Sequence, residues 1–568
     1  MSDEPTTTST ELEQIRAARG RGRGALLGTY ARLSGPGWLQ SAITLGGGSL
    51  ASSLYLGVLA GFSMLWLQPL AMLLGIVMLS AIAHVTLTTG ERPFGAICRH
   101  VNPVLGWGWA LATLAANVVW CLPQYSLANG VVQQNLLPGL LGPEGPLGEL
   151  GGKLVVAGSI LVITVAVTWS YGSGSRGVVL YERLLKSLVA LVVLCFFGVV
   201  VRMAVSADGL DWGALAAGFV PDFSSFSRPA ETFAPYLDAL AEAPRRFWTD
   251  EIVAQQRNVM IAAAATAVGI NMTFLLPYTL LSRGWNREFR GLATFDLATG
   301  MLIPFLLATS CVVVAAASRF HTEPVPGLVH AELDGERPAP KLVANYEGLL
   351  AARAANEAGE ALWTSLDAVE RERRAAALPE ADRQLAAMLV KRDAFDLAKS
   401  LQPLTGDLFA NVLFGLGVLG MALSTITLLM LISGFVICEM LGLPPQGKAH
   451  KLGSLAATTG VLGPFFWSQA AVYLAVPTSV FGMMLLPIAY WTFFLMMNSR
   501  NLLGADRPAG TRRLVWNGLM LPAAGIATAA SLWSVHSKVG TAGYLLVGGF
   551  LALALVVHFL RPPERRAH

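Results

Sequence analysis

Charge is scarce in this chain: Asp, Glu, Lys and Arg make up 13% of its 568 residues, about half the share of a soluble domain. The net charge is only +4, with the basic residues scattered over polar linkers. No basic stripe for nucleic acid is present, and nucleic-acid binding is excluded on that ground. Cysteine is also rare. Cys98, Cys121, Cys195, Cys311 and Cys438 are far apart, in or beside apolar runs, and read as buried thiols without disulfide or metal spacing. The eight histidines show no paired spacing. No Gly-x-x-x-x-Gly-Lys-Ser/Thr loop occurs, which argues against ATP use. No cleavable leader is legible either, since the chain opens polar and turns basic at Arg16, Arg19, Arg21 and Arg23.

What the chain has in abundance is apolar length. Hydrophobic residues make up 54% of it, and many runs approach the roughly 20 residues that cross a bilayer. The reading is an all-α polytopic membrane protein with about 12 transmembrane helices. Their approximate limits are 35–61, 62–87, 104–136, 153–170, 178–204, 257–282, 292–318, 407–440, 452–474, 478–498, 513–534 and 541–560.

The first span organises the rest. It runs from Gly35 to Gly61, yet Gly46, Gly47 and Gly48 follow one another near its middle. Each glycine costs about 1 kcal/mol of helix propensity relative to alanine. A run of bare backbone in lipid is tolerable only where it faces protein or a water-filled cavity. Close helix packing is the bland alternative, but it usually spaces small residues apart. The sixth span repeats the interruption at Gly269-Ile270-Asn271-Met272-Thr273, ahead of Pro277. Two interrupted spans in corresponding positions point to an inverted-repeat transporter with its site at the breaks.

The third span is unusually polar, with Asn117, Gln124, Tyr125, Asn129, Gln133, Gln134 and Asn135, and Pro123 predicts a kink in it. It contains no Asp or Glu. Residues 319–400 are charged and Ala-rich, with helical periodicity over Tyr346–Ala358, Ala361–Leu378 and Glu380–Ser400. They contain no cluster of catalytic residue types and read as an external helical cap. An enzyme is not indicated anywhere in the chain. Glu182 and Asp296 read as structural carboxylates near helix starts, and Glu439 as an interfacial group paired with a nearby base.

Basic residues gather in the tail, in the even-to-odd linkers (Arg92 and Arg99; Arg176 and Arg183; Arg283, Arg287 and Arg290; Lys448 and Lys451; Arg500 to Arg513) and after Arg561. The positive-inside rule then makes both termini cytoplasmic.

Several motifs follow one another along the chain: Gly35-Pro36-Gly37, Tyr181-Glu182-Arg183-Leu184, Trp212-Gly213 with Gly218-Phe219-Val220-Pro221, Ser424-Thr425-Ile426-Thr427, Leu486-Pro487 and Arg500-Asn501-Leu502-Leu503-Gly504. Their order is similar to that of the Nramp family of divalent-metal transporters. The resemblance runs from Gly35 to about Gly504 and implies a LeuT-like fold, a 5+5 inverted repeat with broken helices 1 and 6. The implied organisation is a basic, mobile cytoplasmic tail (1–30), a first five-helix repeat (31–206), an external connection (207–256) and helices 6 and 7 (257–318). An external insertion (319–400), helices 8 to 10 (401–504) and helices 11 and 12 with a basic tail (505–568) complete it.

The family's substrate signature does not carry over. Gly46-Gly47-Gly48-Ser49 stands where the family has Asp-Pro-Gly-Asn, and Gly269-Ile270-Asn271-Met272 stands at its Met-Pro-His. The candidate substrate-binding residues are Thr44, Gly46, Gly47, Gly48, Ser49, Gly269, Ile270, Asn271, Met272, Thr273, Ser424 and Thr425. They supply no formal charge and one thioether, a poor set for a dehydrated transition metal. No metal ligands are assigned and no cofactor is expected. The partners implied are the lipid bilayer and a small solute or ion. A hydrated cation such as Mg²⁺, which keeps its waters, suits neutral oxygens. An amino acid or small organic acid at the Gly-rich break, and a receptor-like protein that moves nothing, are the alternatives.

Overall fold

The computed structural model describes residues 7–171, 175–205, 209–330, 338–406, 408–466 and 475–561. The chain is all-α there. Among the described residues, ten helices are long and apolar enough to cross a membrane, and a bent pair makes an eleventh candidate span. It is a multi-pass integral membrane protein.

Two short helices come first, α1 (Thr7–Arg21) and α2 (Arg23–Leu33). A mobile tail was the expectation; instead Ile15 and Tyr30 are buried, and the Thr8 hydroxyl donates to the Arg283 carbonyl. Apolar side chains at helical spacing are what anchor this stretch. The first span follows as α3 (Pro36–Thr44) and α4 (Gly47–Ala60), bent by 57° at Leu45-Gly46. Next come α5 (Leu67–Thr89), α6 (Pro103–Val131), α7 (Gly148–Tyr171) and α8 (Ser175–Ala204). The α6 helix continues through Pro123.

The next span begins well before 257. Helix α9 (Glu242–Ala267) stops, Val268 and Gly269 run extended, and α10 (Ile270–Ser282) starts afresh. Then come α11 (Arg290–Gly300) and α12 (Leu302–Phe320). The polar insertion is helical, but its units are shorter than the periodicity suggests: α13 (Pro340–Ala358), α14 (Glu360–Ser365), α15 (Ala368–Ala376), α16 (Glu380–Leu389) and α17 (Ala394–Thr405). Asp367 and Asp393 accept backbone N–H bonds and start α15 and α17 as N-caps, a local signal that divides otherwise continuous helical patterns.

Long helices return with α18 (Phe414–Met440), α19 (Ala475–Asn498), α20 (Gly510–Val539) and α21 (Thr541–Leu560). The expected span 452–474 is not one regular helix in its described part, which takes the end of a short α-helix over Gly447–Ser454, a 3-10 helix over Leu455–Leu462 and one turn over Gly463–Phe466. Residues 467–474 lie outside the described residues.

The broken span sits at the centre of the core. Nearly every residue of α4 is buried, as is most of α18. The outer helices α20 and α21 instead expose Leu514, Leu545, Leu546 and Leu555, the face that lipid would cover. Glu439 has the partner expected of it, with Arg92 Nη1 at 3.1 Å.

Candidate functional site

The breaks of the two interrupted spans meet at one small cavity. Its volume is about 30 Å³, room for a water or two. Eight expected residues border it: Thr44, Gly46, Gly48 and Ser49 from the first break, Gly269, Asn271 and Met272 from the second, and Thr425 from α18. Gly47, Ile270, Thr273 and Ser424 are beside it and not on its wall. The Thr273 hydroxyl accepts the Trp109 indole N–H at 2.9 Å, and Ser424 donates to the Ala42 carbonyl at 3.1 Å. Those bonds tie α10 to α6 and α18 to α3.

Why the chain breaks at Gly46 is visible in its surroundings. A Cβ there would lie 2.5 Å from Thr425 Oγ1, and one on Gly47 would lie 2.7 Å from Leu127 Cδ2. Side chains at these two positions would push α18 or α6 away from the turn. The freed backbone groups find side-chain partners. Gln124 Oε1 accepts the Gly47 N–H at 3.0 Å, capping α4 from α6. Ser49 donates its hydroxyl to the Thr44 carbonyl, joining the start of α4 to the end of α3. Intrahelical bonding leaves such first amides and last carbonyls without partners.

The second break is closed by a sulfur and two side-chain oxygens. Met272 Sδ accepts the Gly269 N–H at 3.4 Å and lies 3.5 Å from Thr44 Oγ1. Thr44 also donates to the Gln40 carbonyl at 3.0 Å and reaches the Ala267 carbonyl at 3.5 Å. The thioether, the one soft donor here, thus faces N–H and O–H groups that hold the two breaks together. Asn271 Oδ1 accepts the Met272 N–H at 2.8 Å. That bond fixes the amide orientation, because a flip would turn the NH₂ against another donor. Asn271 Nδ2 is buried and has no acceptor among the described residues.

Seven lining residues were not singled out from the sequence as candidates: Trp120, Gln124, Thr266, Thr478 and Ser479, with the apolar Ile43 and Ala475. Gln124 belongs to the polar run of the third span, so a signal for it existed. Trp120 donates its indole N–H to the Thr478 carbonyl at 2.6 Å, and Thr266 Oγ1 lies 3.4 Å from Ser52 Oγ. None of the lining residues carries a formal charge. No group of three or more His, Cys, Asp or Glu among the described residues is arranged to hold a metal ion.

Asp296 is away from the cavity, at the start of α3. It accepts the N–H groups of Gly35 at 3.0 Å and Gly37 at 2.6 Å, and the Ser34 hydroxyl. Its structural role follows from those bonds. The side chain of Glu182 lies outside the described residues.

A family model for natural resistance-associated macrophage protein-like chains matches residues 37–333 and 375–536. Among curated relatives, metal transporter Nramp2 of Arabidopsis thaliana is 32% identical over 101 residues, and metal transporter Nramp4 of the same plant is 31% identical over 101. Those alignments cover 18% of this chain and only 17% and 18% of the two relatives. Among solved structures, a mutant of the Eremococcus coleocola manganese transporter superposes with a TM-score of 0.52 at 14% identity, over 93% of each chain. The same transporter in complex with an aromatic bis-isothiourea substituted compound gives 0.50 at 12% identity, over 94% of this chain and 93% of that one.

Proposed function

The chain belongs to the natural resistance-associated macrophage protein-like family, and from that premise we propose that it is a secondary membrane transporter. Its solute would occupy the cavity between the breaks at Leu45-Gly46 and Val268-Gly269. The cargo is a largely hydrated cation such as Mg²⁺, and a dehydrated Mn²⁺ is not among its substrates. The observation that carries this reading is the donor set: Thr44, Ser49, Asn271 and Thr425 are neutral, and Met272 Sδ is already engaged.

Stripping a divalent ion of water requires strong anionic or soft donors in return. An Asn271 N–H without an acceptor suits the oxygen of a water that stays on the ion, as Mg²⁺ waters do. The 30 Å³ cavity must widen in another state to admit such a complex, which alternating access supplies. A second reading has one specific observation in its favour. The N-termini of α4 and α10 both border the cavity, and helix N-termini favour carboxylates. Under that reading the solute is an amino acid or small organic acid.

The finer organisation is proposed with it. Spans 1–5 and 6–10 form two inverted repeats, with α3–α4 and α9–α10 as broken helices 1 and 6. The segment 31–206 is the first repeat, 207–241 an external connection, and 242–318 with 401–504 the second. The basic linkers and tails support cytoplasmic termini, which makes the insertion within 319–400 external and leaves 505–568 as two further helices and a tail.

Proteoliposomes of the purified chain test this with indicators for Mn²⁺ and Mg²⁺ and with labelled amino acids and organic acids. The expected result is Mg²⁺ entry and no Mn²⁺ entry above protein-free vesicles. Saturable Mn²⁺ uptake abolished by Met272→Ala defeats the neutral-site reading. Movement of no solute by protein with an intact unfolding transition favours a receptor-like role instead.

A further inference from the structure

A second, larger cavity of about 600 Å³ lies between α5, α9 and α20. Its walls are apolar, with Leu70, Leu74, Met260, Ile261 and Ile526 among them. Ile526 is 51% exposed and Phe223 62%, so the cavity opens outward, where these spanning helices meet lipid. A single charged residue, Arg257 of α9, borders it. Arg257 Nε donates to the Phe226 carbonyl, and no carboxylate pairs with this guanidinium among the described residues.

Trp66 supplies an independent observation. It borders the same cavity, is 1% exposed, and its ring meets Phe223 edge-on at 5.0 Å. Its indole N–H has no acceptor among the described residues, whereas a buried indole N–H normally finds one.

We propose that this cavity binds an anionic phospholipid, one acyl chain filling the apolar cleft, its phosphate on Arg257 and a headgroup or ester oxygen accepting the Trp66 N–H. Charge complementarity selects the headgroup, since a guanidinium without a counter-ion pairs strongly with phosphate. The apolar walls and the size, within the range of ligand cavities, require a chain and not a free anion. Trp at such a position is typical of membrane interfaces. Helix α9 also carries Thr266 to the central cavity, so the lipid braces one wall of the site.

The full chain, purified in a neutral detergent, is titrated with phosphatidylglycerol, phosphatidylcholine or inorganic phosphate. Thermal unfolding and native mass spectrometry are the readouts. Phosphatidylglycerol is expected to raise the midpoint and remain bound as one copy, while the other two do neither. Arg257→Gln should weaken that binding about tenfold, the scale of one lost charge-assisted bond. Ala264→Trp should abolish it by filling the cleft with Arg257 still present. Equal effects of phosphatidylcholine, reproduction of the effect by phosphate, or unchanged binding in both variants, each unfolding like the parent without lipid, overturns the proposal.

Discussion

Gly37 and Asp296 meet backbone to backbone and side chain to backbone at once. The Gly37 N–H donates to Asp296 Oδ2 at 2.6 Å, and a Cβ on Gly37 would lie 2.2 Å from the Asp296 carbonyl oxygen. The carboxylate thereby caps the start of α3 from α11, where the helix dipole favours negative charge. Gly37→Ala is expected to separate these helices at a cost of about 1–3 kcal/mol, the usual range of overpacking. Asp296→Asn keeps the shape, loses the charge-assisted bonds and should unfold earlier than the parent. Thermal unfolding in detergent reads both; parent-like midpoints in both variants would refute the clamp.

Rebuilding a charged site is a test of the neutral one. Gly46→Asp with Ser49→Asn restores the family's first-break donors, but a Cβ at Gly46 lies 2.5 Å from Thr425 Oγ1. The double variant is therefore expected to fold poorly, and adding Thr425→Ala should relieve it. Calorimetry should then detect Mn²⁺ binding in the triple variant and none in the parent. A buried mid-membrane carboxylate should also lower its stability.

A buried ion pair inside the insertion joins α13 to α16, and Trp248 of α9 reaches it from the spanning helices. Arg353 Nε lies 3.0 Å from Asp382 Oδ1, with side chains 4% and 1% exposed, and Trp248 of α9 donates to the same oxygen at 2.6 Å. Breaking such a pair from one side costs about 3–5 kcal/mol because a charge is left buried. Arg353→Met alone should expose α13–α16 to limited proteolysis; Arg353→Met with Asp382→Asn, which leaves no buried charge and keeps an acceptor for Trp248, should restore resistance. Equal cleavage of both variants would count against the pair as the anchor.

Asp396, in the first turn of α17, gives the insertion a pH dependence. Burial and the neighbouring Asp393 carboxylate push its pKa up to about 6, with Lys341 pulling the other way. The folded pKa exceeds the ordinary 3.8, so Asp396 contributes stability that is complete below that value and lost as pH rises through about 6. Hydrogen exchange over Ala394–Ala398, corrected for its intrinsic pH dependence, should show more protection at pH 5 than at pH 7.5. Asp396→Asn should flatten the difference.

The sequence by itself determined the class of molecule and most of the apolar spans, and its glycine run marks the bend of the first. Apolar length and a glycine run act locally, through lipid solvation and helix propensity, and need no partner to be read. The glycines at 46–48 therefore follow the bend between α3 and α4, and α10 starts at Ile270. The insertion's helices were legible as periodicity but not as five units, because a single capping Asp outweighs a continuous pattern. Only the tertiary structure decided which polar groups share the cavity. Gln124, Thr266, Thr478 and Ser479 come from three other helices, and nothing in their local sequence says which way each helix turns. It also decided that Met272 and Ser49 spend their polar atoms on closing the breaks. The Met272 sulfur also meets Thr44, 228 residues earlier, through an angstrom-scale fit that packing alone fixes.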